Sequence, residues 1–284
     1  MGLLTKKCLA DPDIQEHPVD YYHALHERPI YYDAHLRFFI CSTYRLMREI
    51  LRDTETFSNV GSQTLDDLKP PPREAIEIRR QGWAMANTLV TNDPPAHTRI
   101  RTMMDAPFRP RSIETRVAAI RNIVSETIER FIEAGRCEVV RDFAVPIPIT
   151  VIADMLGLPR EMAPKLKEWS DASVEPLGMM ITDQRQIECA RLFVEFQQYF
   201  VAQLRSRERE PRDDLLTHVA LTRDATGTSL SLEEQLSVCS QLLVAGNETT
   251  TNGLAAGVQL LIEHPDQLAL LIEDDDGDYR RART

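Results

Sequence analysis

Two stretches of this chain carry residue types that weaken structure but could do chemistry. The first is VAGNETTTNG at residues 244–253, set between LL and LAAGVQLLI. The flanking apolar spacing predicts helix on both sides. Within it, Gly246 and Gly253 each weaken a helix by about 1 kcal/mol relative to alanine. Thr249, Thr250 and Thr251 are β-branched and lose rotamer freedom there. Glu248 is ionisable among apolar neighbours and needs a partner or water if buried. Ala245 and Gly246 would let a flat group approach the backbone. A threonine hydroxyl bonded one turn back can bend a helix and leave a groove for water. A carboxylate beside that groove could relay protons. Taken alone, the stretch reads first as a crossing of two helices through small residues, with Thr and Asn exposed on the far side.

The second stretch is DPPAHTRIR at residues 93–101. His97 and Arg101 are four apart and share a helix face, while Arg99 points elsewhere. An imidazole N–H beside a guanidinium suits a carboxylate or phosphate. The alternative is a solvent-facing basic patch on a short helix.

These residues need elements to hold them. Residues 19–27 read as a short helix, and 30–32 and 37–41 as strands. Ser42 or Thr43 is positioned to cap a helix running to Leu51. Residues 54–72, with Gly61 and three consecutive prolines, read as a loop or flap. Asn92-Asp93-Pro94-Pro95 reads as a capping residue followed by first-turn prolines, opening a helix that stops near Pro107. A helix is expected over 113–134, closed by Gly135, then a short strand at 137–140. Pro146 and Pro148 precede an apolar helix closed by Gly157, and Leu158-Pro159 opens another that runs through Trp169. After a break at 175–178, a long amphipathic helix is expected over 182–209, with Leu192, Phe193, Phe196, Phe200 and Leu204 on one face. A short helix over 213–221 and a turn at 224–228 come next. Ser231 and Glu234 form a capping box that starts a helix reaching Glu263 without proline. His264-Pro265 stops it, and a last helix runs to about Ile272. The predicted fold class is mainly α with a small N-terminal β-sheet.

The chain has 284 residues, 43% of them apolar, and a formal net charge of -11. That charge argues against nucleic acid or an anionic membrane as partner, though a local basic patch could still dock an acidic one. No apolar run reaches the roughly 18 residues a spanning helix needs. Five cysteines, at 8, 41, 137, 189 and 239, show no metal-ligand spacing. They fit reduced thiols in a cytoplasmic protein.

DPPAHTRIR at 93–101 together with LLVAGNETT at 242–250 resembles the cytochrome P450 family, specifically its soluble bacterial-type members. The resemblance implies a P450-like helical fold and a heme b cofactor. His97 and Arg101 match the positions that bind the heme propionates, and Ala245 and Gly246 those lying against the porphyrin face. Glu248 and Thr249 match the acid–alcohol pair that delivers protons during oxygen activation. Val244 matches a position bordering substrate. Residues 61–90 and 170–183 match substrate-facing segments. The implied chemistry is monooxygenation of a small organic substrate, with electrons from a ferredoxin or flavodoxin-type donor.

The family pattern continues with a Glu-x-x-Arg helix and a loop, Phe-x-x-Gly-x-x-x-Cys-x-Gly, whose thiolate ligates the iron. The sequence runs to Thr284, and none of its cysteines lies in such a loop. The expectation is therefore a P450-like domain over 1–273, incomplete at the C-terminus, with a divergent charged tail at 274–284. No iron ligand is assigned. By itself such a chain is expected to lack a thiolate-ligated heme and turnover, and its long helix to expose an apolar face. The rival expectation is a noncatalytic helical module for interaction or complementation.

Overall fold

The structure is a computed structural model that describes residues 3–61, 70–178 and 181–273. The charged tail expected at 274–284 lies outside the described residues, as does part of the segment expected as a flap. The chain divides into two compact units.

The first unit comprises Met1–Ala106, Asp171–Pro211 and Leu216–Gln241. Its helix Val19–His26 leads into the strands Ile30–Asp33 and Phe38–Cys41, which pair antiparallel with Ile30 opposite Cys41 and Asp33 opposite Phe38. The hairpin turns on Asp33, whose Oδ1 accepts the N–H groups of His35 and Leu36. Leu4, Ile14, Tyr21 and Leu25 form the core packed with it. The next helix, Tyr44–Arg52, is not capped by a hydroxyl as expected. Ser42 instead donates to the Leu25 carbonyl and ties the second strand to the preceding helix.

The 27-residue helix Asp183–Arg209 is started by the Thr182 hydroxyl, which accepts the Arg185 N–H. Phe196, Phe200 and Leu204 of its expected apolar face are buried. Helix Arg73–Arg79 packs against it through Ala75, Ile187 and Ala190. The turn at 224–228 closes where the Asp224 N–H donates to the Thr228 carbonyl, with Gly227 at φ +84°. The expected capping box forms. The Ser231 N–H donates to Glu234 Oε2 at 2.8 Å, and the Glu234 N–H donates to Ser231 Oγ at 3.2 Å. The helix it starts, Leu232–Glu263, has 32 residues and a length of about 48 Å. Residues 232–241 belong to this unit and the rest to the second.

The second unit comprises Pro107–Ser170, Arg212–Leu215 and the chain from Leu242 onward. The single helix expected over 113–134 is two, Pro110–Glu114 and Val117–Ile132. At the join, the Thr115 hydroxyl donates back to the Ser112 carbonyl, competing with the helical pattern. The strand expected at 137–140 does not form. The Glu138 carboxylate accepts the Val140 and Arg141 N–H groups, and Asp142 accepts the Glu138 N–H, so the segment winds into a π-helical turn, Val139–Ala144. These reciprocal bonds override the β-propensity of Val139 and Val140. Pro146 and Pro148 lie inside the first turn of helix Pro146–Met155 rather than before it. That helix buries Ile147, Ile149, Ile152 and Ala153. Leu166 and Trp169 on Ala163–Val174 are also buried. Toward the end of the described chain Leu260, Ile262, Leu270 and Ile272 are exposed.

Candidate functional site

His97 and Arg101 lie on the helix Ala96–Met104 of the first unit. Pro94 and Pro95 precede this helix instead of forming its first turn. Asp93 does not cap it with its side chain. Its carboxylate accepts the Asn59 N–H at 2.9 Å and the Ser58 hydroxyl, and these bonds hold it below the usual carboxylate range. The helix seats itself by burying Ile100, Met103 and Met104.

The basic residues of the motif separate. Arg99 is fully engaged: Nε donates to Asp224 Oδ2 at 2.7 Å, Nη1 to Glu234 Oε1 at 2.8 Å, and Nη2 to the Ser229 carbonyl at 3.1 Å. Asp224 is held well below its ordinary range by the Thr226 hydroxyl and then by Arg99. Glu234 thus closes the capping box with one oxygen and anchors Arg99 with the other. His97 is half-buried, and Arg101 is exposed with no carboxylate partner among the described residues.

Val244, Ala245, Gly246, Glu248 and Thr249 lie on the long helix in the second unit, and the helical pattern runs unbroken through them. One face is fastened inward. Asn247 is fully buried and its Nδ2 donates to Ser170 Oγ at 3.2 Å and to Glu248 Oε1 at 3.1 Å. The Thr251 hydroxyl donates to the Ala144 carbonyl at 3.3 Å. Gly246 belongs to this packed side, since a methyl added there would meet Ile152 at ordinary contact distance. The other face is open, with Ala245 and Thr249 exposed. Thr249 Oγ1 donates to the Ala245 carbonyl at 2.7 Å, the back-bond that β-hydroxyl chemistry allows within a helix. Glu248 sits at the flank, where Lys167 Nζ approaches its Oε1 at 3.3 Å. Val244 is half-buried. Gly246, Asn247 and Thr251 face inward while Ala245 and Thr249 are exposed, on different sides of one helix.

Heme can be tested against these residues in parts. A flat macrocycle fits beside Ala245 and Thr249, which present a methyl and a short hydroxyl already bonded to its own backbone. The acidic edge of such a group fits an exposed guanidinium with an imidazole one turn away. None of the five cysteines of this sequence stands in a glycine-flanked loop of the kind that supplies the family's thiolate ligand. Cys189 and Cys239 are buried, and desolvation raises both thiols, so they remain protonated. Cys8 and Cys41 are half-buried in the first unit, and Cys137 sits in the loop before the π-helical turn. Among the described residues, no group of His, Cys, Asp and Glu forms a metal cluster, and no helix is long and apolar enough to cross a membrane.

Four participants were not legible in the sequence. Lys167 and Ser170 lie far before their partners in the chain, and no spacing rule links them. Asp224 and Glu234 lie far after Arg99, and no spacing rule links them to it either. The nearest available signal was Glu234 itself, already marked by the capping box.

The family model for cytochrome P450 matches residues 12–276. The cytochrome P450 monooxygenase PikC of Streptomyces venezuelae is 35% identical over 193 residues, 67% of this chain and 45% of that protein. Among solved structures, P450BioI in complex with an acyl carrier protein ligated to hexadec-9Z-enoic acid superposes with a TM-score of 0.77 at 26% identity, over 93% of this chain and 66% of that one. Cytochrome P450 CREJ in complex with (4-ethylphenyl) dihydrogen phosphate superposes with a TM-score of 0.83 at 26% identity, over 92% of this chain and 65% of that one. The chain spans about half to two thirds of the length of these relatives. With the paired motifs, the helical architecture and a family match over nearly its whole length, the chain belongs to the cytochrome P450 family.

Proposed function

We propose that this chain carries the heme-edge helix and the oxygen-activating helix of a P450 monooxygenase acting on a small apolar organic substrate. The observation that supports it most is the open face of the long helix, where Thr249 and Ala245 are exposed beside a carboxylate, Glu248, that is held by Lys167. When bound, a heme supplies the redox chemistry in which one atom of dioxygen enters a C–H bond and the other leaves as water, with two electrons and two protons consumed.

The chain's own residues have simpler tasks. Arg101 and His97 grip the acidic edge of the cofactor, and Ala245 leaves its face uncovered. The Thr249 hydroxyl donates its one proton to the Ala245 carbonyl and keeps its lone pairs as acceptors toward the open face, so it holds a hydrogen-bond donor such as water there, and passes on a proton only when its O–H turns away from that carbonyl. Glu248 reaches that face by rotating away from Lys167, which makes the ion pair a latch on the proton supply. Val244 borders the substrate. The electron donor we propose is a ferredoxin or flavodoxin-type protein fed by NAD(P)H. Relatives solved with a carrier-bound fatty acid and with an alkylphenyl phosphate support a substrate with an apolar hydrocarbon part.

The test is heme titration of the chain followed by absorbance. The variant in which both His97→Ala and Arg101→Ala are made is expected to bind roughly tenfold more weakly, the loss of a charge-assisted contact. Equal affinity would remove both residues from the cofactor edge. In the active oxygenase, Thr249→Ala is expected to consume oxygen with less product formed. Unchanged coupling would remove Thr249 from proton delivery.

A further inference from the structure

Residues 82–90 form a strap in the first unit without helix or strand. A backbone that is not in a ladder must find hydrogen-bond partners elsewhere. Here side chains on two helices supply them. The Trp83 N–H donates to Gln197 Oε1 at 3.0 Å, and Gln197 Nε2 donates back to the Trp83 carbonyl at 2.8 Å. The Ala86 N–H donates to Ser237 Oγ at 2.9 Å. The Met85 sulfur accepts from Gln197 Nε2 at 3.6 Å and from the Ser237 hydroxyl at 3.7 Å. Gln197 is only 1% exposed. Gly82 is the residue that lets the amide lie so close, because a Cβ there would overlap it.

We propose that Gln197 is a positioning residue for the strap at 82–90. It pairs with both polar groups of Trp83 as a neighbouring β-strand would, fixes the strap's register, and so sets which side chains the strap presents to substrate. The inference rests on the reading that this segment faces substrate. The role needs a donor and an acceptor at the reach of a glutamine. An ionised glutamate keeps only the acceptor, and asparagine is one methylene short. Glycine at 82 is part of the same device, which accounts for a residue without a side chain at a position where φ does not demand one.

The test is residue-resolved amide hydrogen exchange on the chain, with sodium dodecanoate as an apolar-chain probe. Gln197→Leu is expected to lower protection of the Trp83 amide by roughly tenfold or more, leaving amides of Val117–Ile132 unchanged. Gln197→Glu falls between it and the parent. Gly82→Ala lowers protection as well, and adding Gln197→Ala to it lowers protection no further, because the two act through one contact. Dodecanoate is expected to slow exchange at Trp83 and Ala86 in the parent and not in Gln197→Leu. Unchanged Trp83 protection in Gln197→Leu, or an equal loss across all amides, overturns the clamp. A clamp confirmed by the variants with no response to dodecanoate in the parent overturns only the substrate-facing role.

Discussion

The two motif-bearing helices are each fastened on one side and open on another, but by different forces. In Ala96–Met104 the fastening is ionic. Arg99 holds two carboxylates and a carbonyl, while Arg101, two residues on, holds none among the described residues. At residues 245–251 the fastening into the unit is mostly neutral, with Asn247 on Ser170 and Thr251 on the Ala144 carbonyl, while Thr249 bonds only within its own helix. Similar residue types within one turn therefore serve opposite ends. What separates them is whether a partner from distant sequence reaches them.

The contrast breaks most readily at the arginines. Arg99→Ala is expected to lower unfolding free energy by about 2–3 kcal/mol, since it strands partly buried carboxylates. Arg101→Ala is expected to stay within about 0.5 kcal/mol, as exposed sites do. Urea unfolding of both variants checks this, and similar losses would erase the distinction. On the long helix the gap should be smaller. Asn247→Ala is expected to lose about 1–2 kcal/mol through unsatisfied buried groups. Thr249→Ala should be neutral or slightly stabilising, because alanine is the better helix former. A larger loss in Thr249→Ala than in Asn247→Ala would contradict the assignment of faces.

Acidity sharpens the comparison further, with the smallest effect. The folded-state pKa of Asp224 is lowered, by the Thr226 hydroxyl first and Arg99 second. Its contribution to stability is therefore complete above the unfolded value of about 4 and is lost as pH falls through the lower folded value. Arg99→Gln should flatten that acid limb in a series of urea midpoints. Ser170→Ala should shift the whole curve down without changing its slope there, because the Asn247 amide that its hydroxyl accepts from does not titrate. An acid limb unaltered in Arg99→Gln would show that Arg99 contributes little to holding Asp224 ionised.

Much of the architecture could be read without coordinates, because the signals were local. The capping box at Ser231 and Glu234, the Thr182 start of Asp183–Arg209 and the paired strands at 30–33 and 38–41 all depend on neighbours within a few residues. Failures came where local signals competed. Val139 and Val140 argue for a strand, yet the carboxylates of Glu138 and Asp142 capture the nearby N–H groups and wind the chain the other way. Thr115 breaks a run whose apolar period looked continuous. Ser42 and Asp93 have capping chemistry but spend it on the Leu25 carbonyl and the 58–59 loop.

By itself the sequence determined most of the helices, the family, and the two stretches whose residue types could do chemistry, since each follows from residue type and short-range spacing. Only the tertiary structure decided which member of each motif is fastened and which is left available. Arg99 rather than Arg101 meets carboxylates, Gly246 rather than Ala245 meets Ile152, and Glu248 is paired with Lys167. Those outcomes depend on side chains brought together from far along the chain, and no period or cap encodes such a meeting.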